Sequence, residues 1–379
     1  ATKLIMQTLD DTGNNVQYLT YKENFRIYEN RNHTMSRANS TPNREEIPRE
    51  FRIIQNGKKF NIDSIEVLPI EIDHSLPGVC GFIISTPEET LAYTADIRFH
   101  GRRKEDSEQF VKQCKQADLD HLLCEGTRIH QSDTKTEFDV ENSVKNTIDS
   151  TEKLVVCAYP PRDLDRLLSF YNAAKETDRL LVIDMKQAYL LKLFEESADY
   201  KNIYPRLDDK NIRIFLPRKS WGLVNKDQSI WTKKILLADY GEWERPFLDY
   251  SNAVTCNDVS SQQKEMMFYC SDYQLQQLID IKPETGSNYI RSSTEPFNDE
   301  MILDQERVKK WLIHFGLISN DQQWITAHVS GHGSTEQIQQ IISESNPKNI
   351  IPIHTEHPEI FTENFKHVTI VNRGDEFIL

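Results

Sequence analysis

Apolar and polar residues alternate along the first third of the chain as they do on half-buried strands. FRIIQ (51–55), a turn at NGKK (56–59), and KFNIDSIEVLPIEI (59–72) follow this rhythm and predict strands. GFIIST (81–86) and TLAYTAD (90–96), joined by the turn-like PEE, read as a hairpin, and LDHLLCEG (119–126) as another short strand. From about residue 130 the texture changes. LVVCAYP is a buried strand, DLDRLLSFYNAAKET an amphipathic helix, RLLVIDM a strand and KQAYLLKLFEES a helix. That order implies a parallel sheet with helices on its faces. KEMMFYC, YQLQQLIDI and SNYIRSS extend the pattern, and RVKKWLIHFGL (307–317) is a helix on the return path. WITAHVS, TEQIQQIISES, NIIPIHT and HVTIV then read as strand, helix, strand and strand. Residues 1–10 suit the end of a helix, and residues 30–50, rich in Asn, Ser, Pro and charge, a long exposed connection.

Composition narrows the classes. With 379 residues, 38% hydrophobic and 27% charged, the chain is long enough for two or three domains with proper cores. It has no apolar run of membrane-spanning length, and its first residues lack the pattern of a secretory signal. Six cysteines (80, 114, 124, 157, 256, 270) form no CxxC pair and sit among apolar neighbours, which suggests free thiols and a reducing cytoplasm. The formal net charge of −14 repels polyanions overall, so nucleic acid would need a local cationic or metal site.

Three segments place metal-friendly side chains just past a strand: Asp73 and His74 after VLPIEI, Asp96 after LAYTA, and His354 after NIIPI. Open α/β sheets build sites at such carboxyl ends, and imidazole and carboxylate are ligands of hydrolytic zinc or manganese sites. SGHGSTEQIQQII adds an independent signal. Ser334 with Gln337 fits a capping box, so a helix starts near 334–335, and its N–H groups and dipole favour an anion beside Gly331, His332 and Gly333. Two cationic clusters, FHGRRKED (99–106) and PRKS (217–220), read as solvated faces. In YPPRD, Asp163 reads as a helix cap, with a phosphate contact by Arg162 left open. His33, His100, His121, His130, His314, His357 and His367 have no supporting context and receive no role.

The series DHSLPG, YTAD, LLCEGT, HVSGHGS and IPIHTE resembles the motifs of the β-CASP branch of the metallo-β-lactamase superfamily, and within it the RNase J-like nucleases. The matching segments cover about 72–128 and 324–361. The resemblance implies an α/β fold: a metallo-β-lactamase αββα sandwich, N-terminally incomplete, with an inserted β-CASP α/β domain. Residues 1–128 would be the first part of the metallo-β-lactamase domain, 129–315 the inserted domain, and 316–379 the returning part, with a cleft between the two bodies. Glu125 would stand near the first crossing and His328 near the return. Carried over residue by residue, His74, Asp96 and His354 would ligate metal, Asp96 bridging two ions, and Glu125, His332 and Asp96 would be catalytic. His328, Ser330 and His332 would contact substrate phosphate.

The implied function is a metal-dependent ribonuclease, endo- or 5′-exonucleolytic, with two divalent ions, zinc or alternatively manganese. RNA is the implied partner, DNA the alternative nucleic acid, and a homodimer is among the assemblies allowed; no membrane is involved. The superfamily's HxHxDH run is absent from the 379 residues. The expectation is therefore a C-terminal portion of a longer enzyme, or else a reduced homologue, inactive and a poor metal binder by itself. Two rival functions stay open: hydrolysis of a small ester or thioester, for which neither the insertion nor HVSGHGS is needed, and non-catalytic RNA binding.

Overall fold

The alternating segments pair with one another before the chain leaves for a second sheet. The structure, a computed structural model, describes residues 1–13, 21–23, 27–37, 46–132, 135–219, 238–319, 324–372 and 374–376. Helix α1 (Thr2–Asp11) opens the chain. Strands β1 (Phe60–Ile62), β2 (Ile65–Glu71), β3 (Cys80–Ser85) and β4 (Thr90–Tyr93) form an antiparallel run. Helix α2 (Lys104–Gln116) then leads to β5 (His121–Glu125), which lies parallel to β4.

The middle of the chain builds a separate all-parallel sheet. Helices α3 (Glu137–Asp149), α4 (Leu164–Glu176) and α5 (Met185–Glu196) accompany β6 (Val155–Ala158), β7 (Leu180–Ile183), β8 (Ile212–Phe215), β9 (Ala253–Val254), β10 (Met266–Tyr269) and β11 (Asn288–Arg291). Helix α6 (Asp299–His314) precedes β12 (Ile325–Thr326), and the strand order is β9-β8-β7-β10-β6-β11-β12. Successive side chains of β6 face opposite ways, as a strand's period of two requires. Val155 and Cys157 enter one apolar cluster with α3 and α4, while Leu154 and Val156 enter another with α6.

Helix α7 (Thr335–Ser345) and β13 (Asn349–Ile353) close the first sheet, in the order β13-β5-β4-β3-β2-β1, and α8 (Pro358–Asn364) follows. Ile338, Ile341 and Ile342 of α7 pack with Phe110, Leu122 and Phe361 into that sheet's core. This mixed α/β architecture of two sheets agrees with the fold expected from the motif series. No helix among the described residues is long and apolar enough to cross a membrane.

Several details differ from the sequence reading. Residues 51–55 form no strand: Phe51, Ile53 and Ile54 are exposed, so apolar alternation there reflects no packed face. HVTIV contributes one bridge, Ile350 with Val368. The strand at Ile325–Thr326 belongs to the middle sheet, against β11, so the chain returns to the first sheet only after it. Helix α1 packs against α5, with Ile5 in the middle body's core and the Tyr189 hydroxyl donating to Asp11 (2.6 Å). Within the exposed connection, the described residues form two short ladders, 21–23 with 46–48 and 27–29 with 35–37; residues 38–45 lie outside the described residues.

Candidate metal centre

Parallel register explains why distant residues meet. Tyr93 pairs with Leu123 and Glu125 with Ile353, so β4, β5 and β13 end together at one edge. From that edge emerge Asp96, three residues beyond β4, Glu125 at the tip of β5, and His354 immediately after β13. Antiparallel β2 and β3 bring His74 out at the same edge. Ala95 (φ 49°) and His354 (φ 48°) hold left-handed backbone. That conformation costs a non-glycine residue of order 1 kcal/mol or more and gathers at functional sites.

Asp96, Glu125, His332 and His354 each offer a donor atom within 4.8 Å of the others. His74 stands beside this group, with Nε2 3.9 Å from Asp96 Oδ2, its ring 5.2 Å from that of His332. The rings of His332 and His354 are 5.5 Å apart, and His354 Nδ1 lies 3.0 Å from Asp96 Oδ1. The structure thus brings together His74, Asp96, Glu125, His332 and His354, as the motif series places them.

Hydrogen bonds fix two of the rings. His74 Nδ1 donates to the Gly331 carbonyl (2.7 Å), which leaves Nε2 with its lone pair. His332 Nδ1 faces both Glu125 oxygens at 3.1 Å. Glu125, fully buried, also accepts from the Ile97 N–H (2.8 Å). Imidazoles that ligate metals have their other nitrogen anchored in this way to a carbonyl or carboxylate. His74 and His354, with the Asp96 carboxylate beside both, are donor types that fit a zinc-type ion. Burial lowers the pKa of His74. Burial works the same way on His332, but the Glu125 hydrogen bond and charge outweigh it, and the net shift is upward.

The turn at 330–333 is tightly seated. A Cβ on Gly331 would overlap Ser75 Oγ and the His74 ring, so only glycine lets the loop approach. Ser334 and Gln337 form the capping box read from sequence, and α7 begins at Thr335. Ser330 offers its carbonyl to Arg98 (3.0 Å) and His100 (2.8 Å), and its hydroxyl accepts from the His332 N–H (3.2 Å). His328 lies further back, against Arg166.

Sequence reasoning missed the charged residues behind this turn. Arg98, Glu137 and Arg166 are almost wholly buried and form one chain of ion pairs: Arg98 with Asp73 (3.2 Å), Arg98 with Glu137 (3.8 Å), and Arg166 with Glu137 (2.6 Å). Asp73 is thereby committed to Arg98. The FHGRRKED cluster is only in part a solvated face: Lys104 and Glu105 are exposed, but Arg102 pairs with Glu141 and Arg103 with Asp165, both across to the middle body. PRKS is likewise paired, Arg218 with Asp280 and Lys219 with Glu244; Ser220 lies outside the described residues. His100, given no role, bonds Ser330 and Gln337. Asp163 caps α4 as read, and Arg162 is exposed.

A two-sheet mixed α/β fold with a histidine–carboxylate cluster of metal-binding type is the class these features define. Residues 324–367 match the family described as a Zn-dependent metallo-hydrolase RNA specificity domain. Ribonuclease J of Sinorhizobium meliloti is 21% identical over 320 residues, covering 83% of this chain and 50% of that protein. The chain thus spans about half the length of this relative. A solved structure of a protein of unknown function from Enterococcus faecalis V583 has the same fold, with a TM-score of 0.64 at 20% identity over 87% of this chain and 68% of that one. The chain is thus similar to RNase J-like, β-CASP proteins of the metallo-β-lactamase superfamily, in keeping with the motif series.

Proposed function

We propose that this chain carries the site of a metal-dependent ribonuclease that hydrolyses phosphodiester bonds in RNA. One observation carries the reading: His328, Ser330, His332 and His354 all lie in the segment that matches an RNA specificity domain, and two of them belong to the metal-type group. In this reading His74, Asp96 and His354 hold divalent metal, zinc in the first instance. Asp96, which approaches both His74 and His354, would be the ligand shared between two such ions. Bound there, such ions supply Lewis acidity to the scissile phosphate.

The remaining chemistry belongs to side chains. Glu125 holds the His332 ring by Nδ1, which leaves Nε2 to pass a proton to the leaving oxygen. His328 and Ser330 orient the phosphate, and the middle section, residues 129–315, is the inserted body that walls one side of the cleft.

The test is cleavage of an end-labelled RNA oligonucleotide by the whole metal-loaded protein, beside Asp96→Asn and His332→Ala variants. RNA cleavage lost in both variants supports the proposal. Hydrolysis of thioesters or aryl esters with RNA left intact overturns it, as does RNA binding without cleavage at any added zinc or manganese.

A further inference from the structure

We propose that Arg166 is a positioning residue that holds His328 as its neutral Nε2–H tautomer, so that this imidazole presents a fixed hydrogen-bond donor to the substrate. The part concerning substrate phosphate rests on the ribonuclease reading; the tautomer does not.

Geometry and donor chemistry carry the assignment. Arg166 NH1 lies 3.1 Å from His328 Nδ1. A guanidinium has donors and no acceptor, so Nδ1 must accept, and the ring's one proton sits on Nε2. The same guanidinium donates through NH2 to the carbonyl of Val329 (3.0 Å) and through NH1 to the Ser292 hydroxyl. It therefore fixes both the ring of residue 328 and the backbone of the next residue. Arg166 is itself held from Nε and NH2 by the two oxygens of Glu137 (2.6 and 3.2 Å), and Ser169 donates to Glu137 (2.8 Å). A forked pair of this kind sets direction as well as charge.

The surroundings discourage a second proton on His328. The charged groups facing it are Arg166 from α4, Glu137 from α3, Arg98 from the segment after β4 and Arg128 from the segment after β5, three cations against one carboxylate. Burial and then Arg166 hold the imidazole down to about 3. A phosphate-facing histidine would ordinarily change charge near neutral pH; this one remains a neutral donor throughout that range. Arg98 completes the arrangement from the first sheet, since it donates to the Ser330 carbonyl (3.0 Å) while standing 3.8 Å from Glu137. The residues between β12 and His332 are thus gripped by one buried arginine from each body.

The experiment is histidine-selective ¹⁵N NMR on the metal-free full chain from about pH 5 to about pH 8, the range where free imidazole titrates. His328→Asn identifies the resonance. The expected result is a single Nε2–H tautomer at position 328 with no titration. In Arg166→Gln, with circular dichroism matching the parent, the titration should move upward while burial still holds it below the ordinary value, and the resonance should report mixed tautomers. An Nδ1–H tautomer or a titrating His328 in the parent protein overturns the proposal, and that spectrum decides even if Arg166→Gln does not fold. Arg166→Gln folded but with an unchanged His328 signal overturns it equally. RNA binding, measured separately with a labelled oligonucleotide, should weaken about 10-fold or more in Arg166→Gln, the scale of one lost charge-assisted hydrogen bond. A fixed tautomer in a whole metal-loaded protein that neither binds nor cuts RNA overturns the ribonuclease reading and leaves Arg166 its role.

Discussion

Both carboxylate oxygens of Glu125 lie 3.1 Å from Nδ1 of His332, across 207 residues of sequence. Glu125 is buried and bonded to the Ile97 amide, so it works as an anchor for the ring. Glu125→Gln should lower RNA turnover by about 10-fold or more, part of what a positioned acid or base supplies, with zinc content close to the parent's. Unchanged turnover would show that the pairing has no functional weight.

His332→Ala separates proton transfer from metal binding. Turnover on RNA should fall by about 10²–10⁴-fold, the ordinary worth of a positioned acid or base. Zinc content by elemental analysis should stay close to that of the parent. Parallel loss of metal would instead make His332 a ligand.

For Asp96→Asn and His354→Ala the expectation reverses. Both should lose bound metal, with affinity falling by more than the ~100-fold seen when only outer partners change. Chelation followed by zinc should restore the parent protein and neither variant. Retention of full metal content by either variant removes that residue from the proposed ligand set.

Acid should unfold the protein through the buried charges. Burial alone would raise the pKa of Glu137, but Arg166 and Arg98 hold it down to about 2, from an ordinary 4.5. Its contribution is therefore fully present above 4.5 and lost as pH falls toward 2. His328, held down to about 3 from 6.5, also takes its proton more readily when unfolded, so stability falls with pH from 6.5 downward. Asp163, pushed by burial up to about 7 from 3.8, acts oppositely, losing stability as pH rises between those values. The two effects offset one another between 4.5 and 6.5, and below 3.8 Glu137 and His328 act unopposed. Denaturant titrations should show a steep loss there, each group adding a slope of up to about 1.4 kcal/mol per pH unit. Glu137→Ala at neutral pH should cost about 3–5 kcal/mol, because it strands Arg166. A flat pH profile, or a loss under about 1 kcal/mol, would show that the network is solvated.

Gly331→Ala should leave the middle sheet intact and disturb the centre. The added methyl meets Ser75 and the His74 ring, so the turn must move. Circular dichroism close to the parent with metal affinity and RNA turnover both reduced is the expected pair of results. Parent-like metal affinity and turnover would mean the loop has slack.

The parts of this molecule with local signatures were legible in its sequence. Alternation gave β2 through β5, the helical face of Ile338, Ile341 and Ile342 gave α7, and the strand-end placement of His74, Asp96 and His354 gave the meeting point. The buried arginines were not legible, because Arg98, Glu137 and Arg166 are isolated in sequence and acquire meaning only when two bodies touch. The same cause hid the pairing of Arg102 and Arg103, whose cationic run looks like surface until Glu141 and Asp165 arrive. Residues 51–55 misled in the opposite sense: their pattern is that of a strand, yet nothing packs on Ile53. Ile325–Thr326 was seen as a strand, but a two-residue strand gives no clue to which sheet will take it.

The pairing of β13 with β5 also fixes the order in which the molecule can mature. Residues 121–125 must wait for residues 349–353 before their outer edge is covered. Contacts of such long range close slowly. The intervening parallel sheet is built from nearer neighbours and can form during synthesis, domain by domain. Until β13 docks, the Glu125 strand offers an unpaired edge of the kind that invites association with other chains. A ribosome stalled short of residue 349 would therefore hold a folded middle body attached to an open, sticky half-sheet. On the proposed ligand set, metal-binding competence would arrive only once His354 has emerged from the ribosome.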